Sequence, residues 1–283
     1  MVLAMGSFVV NDTCVKIVGT ALPVGELVAI RGLMSILVIA LIAARQGVLT
    51  QIGRIASRPV FIRATLDLIA TLLFITALMH MQIANLTAIM QAVPLAVAVL
   101  SAIFLGERVG WRRTTAIIAG FIGVLLIVRP SPQSFTAFDV MALLIVFAVA
   151  IRDLVTRRIP VKVPTLIVAL TNASFVTAGG AALGLFQDFV MPQAWQVMIL
   201  AVAAVFLASG YMFMVTTLRL GELSATAPFR YSIMVFAIIS GVAVFKEFPD
   251  GITAIGMVLI VAAGLYAAHR EWLLRNISRT PAP

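Results

Sequence analysis

Charge is the first thing this sequence lacks. Only 11% of its 283 residues are Asp, Glu, Lys or Arg, less than half the ~25% usual in soluble domains. So few charges cannot make a polar skin for a water-soluble fold of this length. Cysteine is almost missing: the single Cys14 excludes an internal disulfide and any Cys-rich metal site. His80 and His269 stand far apart, neither with a ligand-type partner beside it, so no metal centre is expected. The patterns H-E-x-x-H, G-x-S-x-G and G-x-x-x-x-G-K-S/T are absent, which removes zinc hydrolysis, an elbow serine and P-loop ATP use. No cofactor and no enzymatic activity are expected. Basic runs interleaved with aromatics are missing too, so the net charge of +9 does not indicate nucleic acid.

What is present in excess is apolar surface, at 62% of residues, and a single buried core stops growing at about this length. The surplus must face lipid. A helix crossing the hydrocarbon needs about 20 residues, and runs of that kind recur at roughly 2–20, 24–44, 60–80, 83–105, 113–129, 138–158, 163–186, 193–218, 222–246 and 252–270. Pro and Gly punctuate most gaps, and continuous apolar runs such as 137–151 rule against the alternating strands of a β-barrel. The first run has no basic leader and carries Asp12 and Lys16, so it is read as a retained helix rather than a signal peptide. The expected fold is an all-α integral membrane protein of about ten transmembrane helices.

Lys and Arg collect on the cytoplasmic side of such proteins. With the N-terminus inside, cytoplasmic segments hold Arg45, Arg54, Arg58, Arg63, Arg108, Arg112, Arg113, Arg157, Arg158, Lys162, Arg219, Arg270, Arg275 and Arg279, against Arg129 and Lys246 outside. Both termini are therefore expected in the cytoplasm, which requires an even number of spans. The expected location is the bacterial cytoplasmic (inner) membrane.

A weak internal repeat runs through the chain. Shifted by 141, Asp12 falls on Asp153, Lys16 on Arg157 and Pro23 on Pro164; shifted by 140, Thr76 falls on Thr216 and Glu107 on Glu247. Five spans per half is odd, so the second copy enters the membrane upside down. Two inverted five-helix repeats are the architecture of many secondary transporters, with a site near the midplane. The boundaries read as 1–130 for the first repeat, 137–270 for the second and 271–283 for a cytoplasmic tail.

Gly106-Glu107-Arg108 closing the fourth span, Arg31 within Glu26–Arg31 of the second, and the glycine-punctuated Ala119–Leu125 of the fifth resemble the EamA-type family of the drug/metabolite transporter superfamily. The resemblance covers essentially the whole chain and is strongest to bacterial YddG-type exporters of amino acids, aromatic ones included. It implies alternating access and export of a small metabolite, most simply an amino acid. Relatives linked to S-adenosylmethionine or to multidrug, quaternary-cation efflux keep those substrates open. One departure is Lys246-Glu247 where relatives repeat Gly-Glu, which puts a close-packing glycine there in doubt. The partners implied are a small-molecule substrate, with proton coupling left open, and the bilayer, for a monomer or homodimer.

An ionisable side chain at the bilayer centre costs about 2.5–3.5 kcal/mol on insertion scales, so it faces a partner or a wet cavity. Seven lie within the spans: Asp12, Lys16, Arg31, Asp67, Arg152, Asp153 and Arg230. Asp12 and Lys16 are four apart and able to pair on one helix face, or Asp12 lines a cavity. Arg152 and Asp153 read as boundary anchors. Arg31 lies ~10 Å deep at 1.5 Å per residue, either paired with Asp67 or Asp12, or offering its guanidinium to a substrate carboxylate. Arg230, beside Tyr231 and after Pro228, reads as a cavity wall at a kink. Pro94 with Gln91 is the matching feature of the first half, and Asn172 matches Arg31 by the repeat. Tyr211 offers a ring to a ligand or packs against lipid. The candidate substrate-binding set is thus Asp12, Arg31, Asp67, Gln91, Asn172, Tyr211, Arg230 and Tyr231, with Pro94 and Pro228 as gating kinks. Small residues at four-spacing, Ala116/Gly120 and Gly264/Ala268, mark the fifth and tenth spans as scaffold or dimer surface.

Overall fold

The structure is a computed structural model that describes residues 1–48, 50, 58–106, 110–129, 136–156, 158–159, 164–220 and 227–279. Glu107, Arg108, Arg157, Arg54 and Lys162 lie outside the described residues, and so do Pro130 and Pro132 between the halves. Every described element is helical. In chain order they are α1 (Val2–Gly19), α2 (Val24–Arg45), α3 (Arg58–His80), α4 (Ile83–Met90), α5 (Val93–Leu105), α6 (Trp111–Val128), α7 (Ala137–Thr156), α8 (Thr165–Gly184) and α9 (Ala194–Leu220). A 3-10 turn over Ala227–Tyr231 then leads into α10 (Ser232–Ser240) and a π turn over Gly241–Phe245, and α11 (Gly251–Arg279) ends the series. Taking α4 with α5 and the Ala227–Phe245 stretch as one span each, these make the ten expected crossings. Seven of the helices are long and apolar enough to cross a bilayer by length and composition, and 114–128 and 229–245 are shorter apolar segments. α7 adds the tenth span and carries Asp139, Arg152 and Asp153.

Why helices form is simple: hydrocarbon offers no partner to a backbone N–H, so each segment must satisfy its own. The side chains are then sorted inside out. On α2, Leu33, Leu37 and Leu41 repeat every fourth residue on the exposed face, while Leu27, Val28, Arg31 and Ser35 are buried. Ile118, Ile122 and Leu125 of α6 form a second outward stripe. A lipid-facing helix places its greasiest face outward and its polar groups inward, the reverse of a soluble helix.

The two fold-level breaks differ from simple proline kinks. The fourth span is interrupted at Gln91–Ala92, and Pro94 sits in the first turn of α5, where a missing N–H breaks no hydrogen bond. Pro228 lies in the 3-10 turn that opens the ninth span, before its α-helical part begins at Ser232. The further irregularity of that span is the π turn at its other end.

The main packing pairs are α2 with α8, α6 with α11, α1 with α9 and α3 with α7. In repeat order these are second with second, fifth with fifth, first with third and third with first. Exchange of the halves leaves the set unchanged, as two inverted copies about a pseudo-twofold axis require. Their shared core draws Val15, Leu27, Ile75 and Leu86 from the first half and Ile145, Leu200 and Ile260 from the second.

Small residues set the closest crossings. A Cβ on Gly25 of α2 would lie 2.4 Å from the Gly184 nitrogen of α8. A Cβ on Gly123 of α6 would lie 2.8 Å from the Gly256 oxygen of α11. The fifth and tenth spans therefore pack on each other, one turn along from the expected Ala116/Gly120 stripe. The Gly106 and Lys246 question resolves as backbone conformation. Both are left-handed caps, at φ 67° and 59°, and a Cβ on Gly106 would meet nothing within 4 Å among the described residues. The position calls for a left-handed residue and not for close packing; lysine meets it at a modest conformational cost.

Candidate functional site

Between the halves lies a cavity of about 690 Å³. Its walls reach the Met1-side helix ends through Arg63 of α3, Thr165 of α8, Ile117 of α6 and Ala268 of α11. Toward the opposite side they stop at Asp12, Ile75 and Thr87. All eight candidate residues line it (Asp12, Arg31, Asp67, Gln91, Asn172, Tyr211, Arg230 and Tyr231), as does Pro94.

The deep end is built by α1 and α2. Asn11, 2% exposed, donates its Nδ2 to Asp12 Oδ1 at 2.9 Å, and Arg31 Nη1 donates to Asn11 Oδ1 at 3.4 Å. Arg31 is 9% exposed, and its Nε has no hydrogen-bond partner among the described residues. The end nearer Met1 is a tighter network. Asp67 Oδ1 accepts from Arg152 Nη1 at 2.7 Å and its Oδ2 from Asn172 Nδ2 at 2.6 Å, with Arg63 at 3.9 Å. Arg152 also bonds Asp153 Oδ1. Two aromatics shape the walls. Phe8 meets the Tyr211 ring edge-on at 5.4 Å and fills the space above Gly210, while the Tyr231 hydroxyl occupies the place a Cβ on Gly264 would need.

Beyond the deep end, the far side carries a cluster drawn from both halves. Lys16 Nζ donates to Glu247 Oε1 at 2.5 Å and to the Met81 carbonyl at 2.7 Å. Glu247 Oε2 accepts from the Ile83 backbone N–H at 3.0 Å, and the ammonium lies 4.8 Å from the Phe245 ring centre. Both side chains are largely buried, at 9% and 20% exposure. At the same side Arg129, which caps α6, pairs with Asp250, and Asp250 Oδ1 caps Thr253 N–H of α11.

Two pairings that spacing allowed do not form, and one anchor reading is corrected. Lys16 does not pair with Asp12, although they share a helix face; it reaches across to Glu247, where a carboxylate, a carbonyl and an aromatic face give fuller compensation. Arg31 pairs with neither Asp67 nor Asp12 within 4.0 Å among the described residues, because Asp67 is taken by Arg152 and Asn172. Arg152 is not a boundary anchor, since it turns into the cavity toward Asp67. Three further polar contributors are Arg63, Asn11 and Glu247. Arg63 stands with the cytoplasmic charges in the sequence, yet it lies four residues before Asp67, a spacing that signals an i,i+4 pair.

An inverted ten-span bundle around a charged cavity, with an ion-paired cluster beyond its deep end, is the architecture of many membrane transporters. The comparisons with known proteins agree. The description "EamA-like transporter family" matches residues 1–129 and again 136–267, and the chain belongs to that family. It is 29% identical over 271 residues to the pseudopaline exporter CntI of Pseudomonas aeruginosa, covering 93% of this chain and 92% of that one. It is 26% identical over 185 residues to the S-adenosylmethionine uptake transporter of Rickettsia prowazekii, covering 65% of this chain but only 63% of that transporter's length. A solved crystal structure superposes with a TM-score of 0.65 over 97% of both chains at 19% identity, a likeness of fold alone.

Proposed function

We propose that this transporter exports small metabolites bearing an amino-carboxylate group, amino acids in the simplest case, by alternating access at the central cavity. The observation that carries the reading is Arg31: a buried guanidinium with an unpartnered Nε, lining the cavity near the Asp12 carboxylate. A carboxylate gains most from a preorganised guanidinium, and an ammonium from the neighbouring aspartate. Four arginines and three aspartates line the cavity, a balance that disfavours quaternary cations.

Size widens the class. At about 690 Å³ the cavity falls in the ~300–1,000 Å³ range that houses drug-sized ligands. Larger molecules ending in the same head group fit the reading, S-adenosylmethionine among them. The Lys and Arg bias supports cytoplasmic termini, and on that reading the cavity reaches toward the cytoplasm, where an exporter loads. Asp67 is committed to Arg152 and Asn172. Asp12, held by the Asn11 amide alone among the described residues, is the carboxylate left for proton coupling. The working unit is a monomer or homodimer.

Purified protein in liposomes loaded with labelled phenylalanine, S-adenosylmethionine or a quaternary ammonium tests this. The amino-carboxylates should leave and the quaternary ammonium should not, and Arg31→Ala should abolish that flux. Quaternary-ammonium flux without amino-carboxylate flux would sink the reading.

A further inference from the structure

We propose that Asn11 is a positioning residue that holds Asp12 and Arg31 apart, so that both charges stay available to a zwitterion; this rests on the amino-carboxylate reading. An arginine and an aspartate in a low-dielectric cavity attract strongly and, left alone, close into a direct ion pair. Such a pair would quench both groups. Here they make no contact within 4.0 Å among the described residues. The Asn11 side chain stands between them, donating to Asp12 at 2.9 Å and accepting from Arg31 at 3.4 Å.

An amide does both at once, from two separate atoms of one rigid plane. A carboxylate accepts only, an ammonium donates only, and the chemistry of the two neighbours fixes which end of the amide faces which. Its burial at 2% exposure keeps water from taking its place. The bond to Arg31 is long and leaves the guanidinium Nε unpartnered, so a substrate carboxylate replaces a weak contact with stronger ones. The aspartate keeps its second oxygen for an ammonium. Asn11 thereby sets the separation of the two subsites on neighbouring helices α1 and α2.

The test uses the full chain in liposomes with two probes, phenylalanine and 3-phenylpropionate, which has the same ring and carboxylate but no amine. Asn11→Ala should raise the KM for phenylalanine about tenfold or more at a nearly unchanged maximal rate, as Arg31 and Asp12 close on each other. The double variant Asn11→Ala/Asp12→Asn removes the competing carboxylate, and 3-phenylpropionate should then bind about tenfold tighter than to Asn11→Ala. A merely structural role predicts a double variant no better than the single one, and that result would overturn the proposal. A ligand-free structure of Asn11→Ala gives a second reading: Arg31 within 4 Å of Asp12 supports the spacer whatever the substrate, and unchanged separation overturns it. Wild-type protein that moves no amino-carboxylate overturns the substrate reading instead, so the two failures are told apart.

Discussion

Replacing Glu247 by Gln should open the far side of the transporter. In the described state Glu247 ties Lys16 of α1 to the Ile83 amide, and Lys16 also holds the Met81 carbonyl. Three segments of both halves are therefore joined by one ion pair whose members are 9% and 20% exposed. Removing one partner of a buried pair costs about 3–5 kcal/mol, because the remaining charge is left uncompensated. The lower figure is apt at a helix end. In the opened state Lys16 reaches water and the cost vanishes, so the whole difference acts on the equilibrium. About 3 kcal/mol is roughly a hundredfold shift, enough to bring a closed population of about 99% down to about half.

Spin-label distances across the far rim read that shift. The only native cysteine is Cys14, so labels at Thr20→Cys and Phe248→Cys in a Cys14→Ser background report alone; both positions are solvent- or lipid-exposed. The parent should show one short distance, and Glu247→Gln a second, longer one of comparable weight. Lys16→Met/Glu247→Gln should perturb less than Glu247→Gln alone, since removing both charges leaves neither stranded. A distance distribution unchanged by Glu247→Gln would refute the latch.

Asp67→Ala leaves Arg152 with Asp153 alone and removes the acceptor of Asn172, and should lower the thermal unfolding midpoint in detergent by a few degrees, reflecting about 1–3 kcal/mol; no shift would mean the Asp67 network carries no structural weight. Gly123→Val drives a side chain into the Gly256 backbone and should separate α6 from α11, seen as loss of folded yield beside a tolerated Gly110→Val, which meets open space. Asp250 outside the membrane is held below its usual carboxylate value, first by its hydrogen bond from Arg129 and then by Thr253. Its stabilising contribution is present above the unfolded value near 3.8 and is lost as pH falls through the depressed folded value. Asp250→Asn should therefore flatten the acid limb of a thermal-unfolding profile taken below about pH 4, and an identical limb in both proteins would exclude the pair as its source.

Much of the fold was legible because hydrocarbon leaves the backbone one solution, so apolar length alone locates most spans. The repeat offset then paired Lys16 with Arg157 and Glu107 with Glu247, and the helix packing obeys that symmetry. What spacing could not supply was partner choice across helices. Asp12 and Lys16 stand at an ideal i,i+4 interval, yet Lys16 finds Glu247, 231 positions away, because three contacts outweigh one. Arg63 was hidden for the opposite reason: near a helix start it resembles a topology charge, although its i,i+4 spacing to Asp67 on the same helix was readable. Intramembrane cost correctly singled out Arg31 and Asp67 as residues needing a partner or a cavity, but it could not show that Arg152 had already taken Asp67.

The most direct measurement is a structure of the protein with an amino-carboxylate bound, phenylalanine or S-adenosylmethionine. The account predicts the carboxylate on Arg31, with its Nε now engaged, the ammonium on Asp12, and the Asn11–Arg31 contact broken or lengthened. Ligand seated elsewhere, with Arg31 still resting on Asn11, would contradict it.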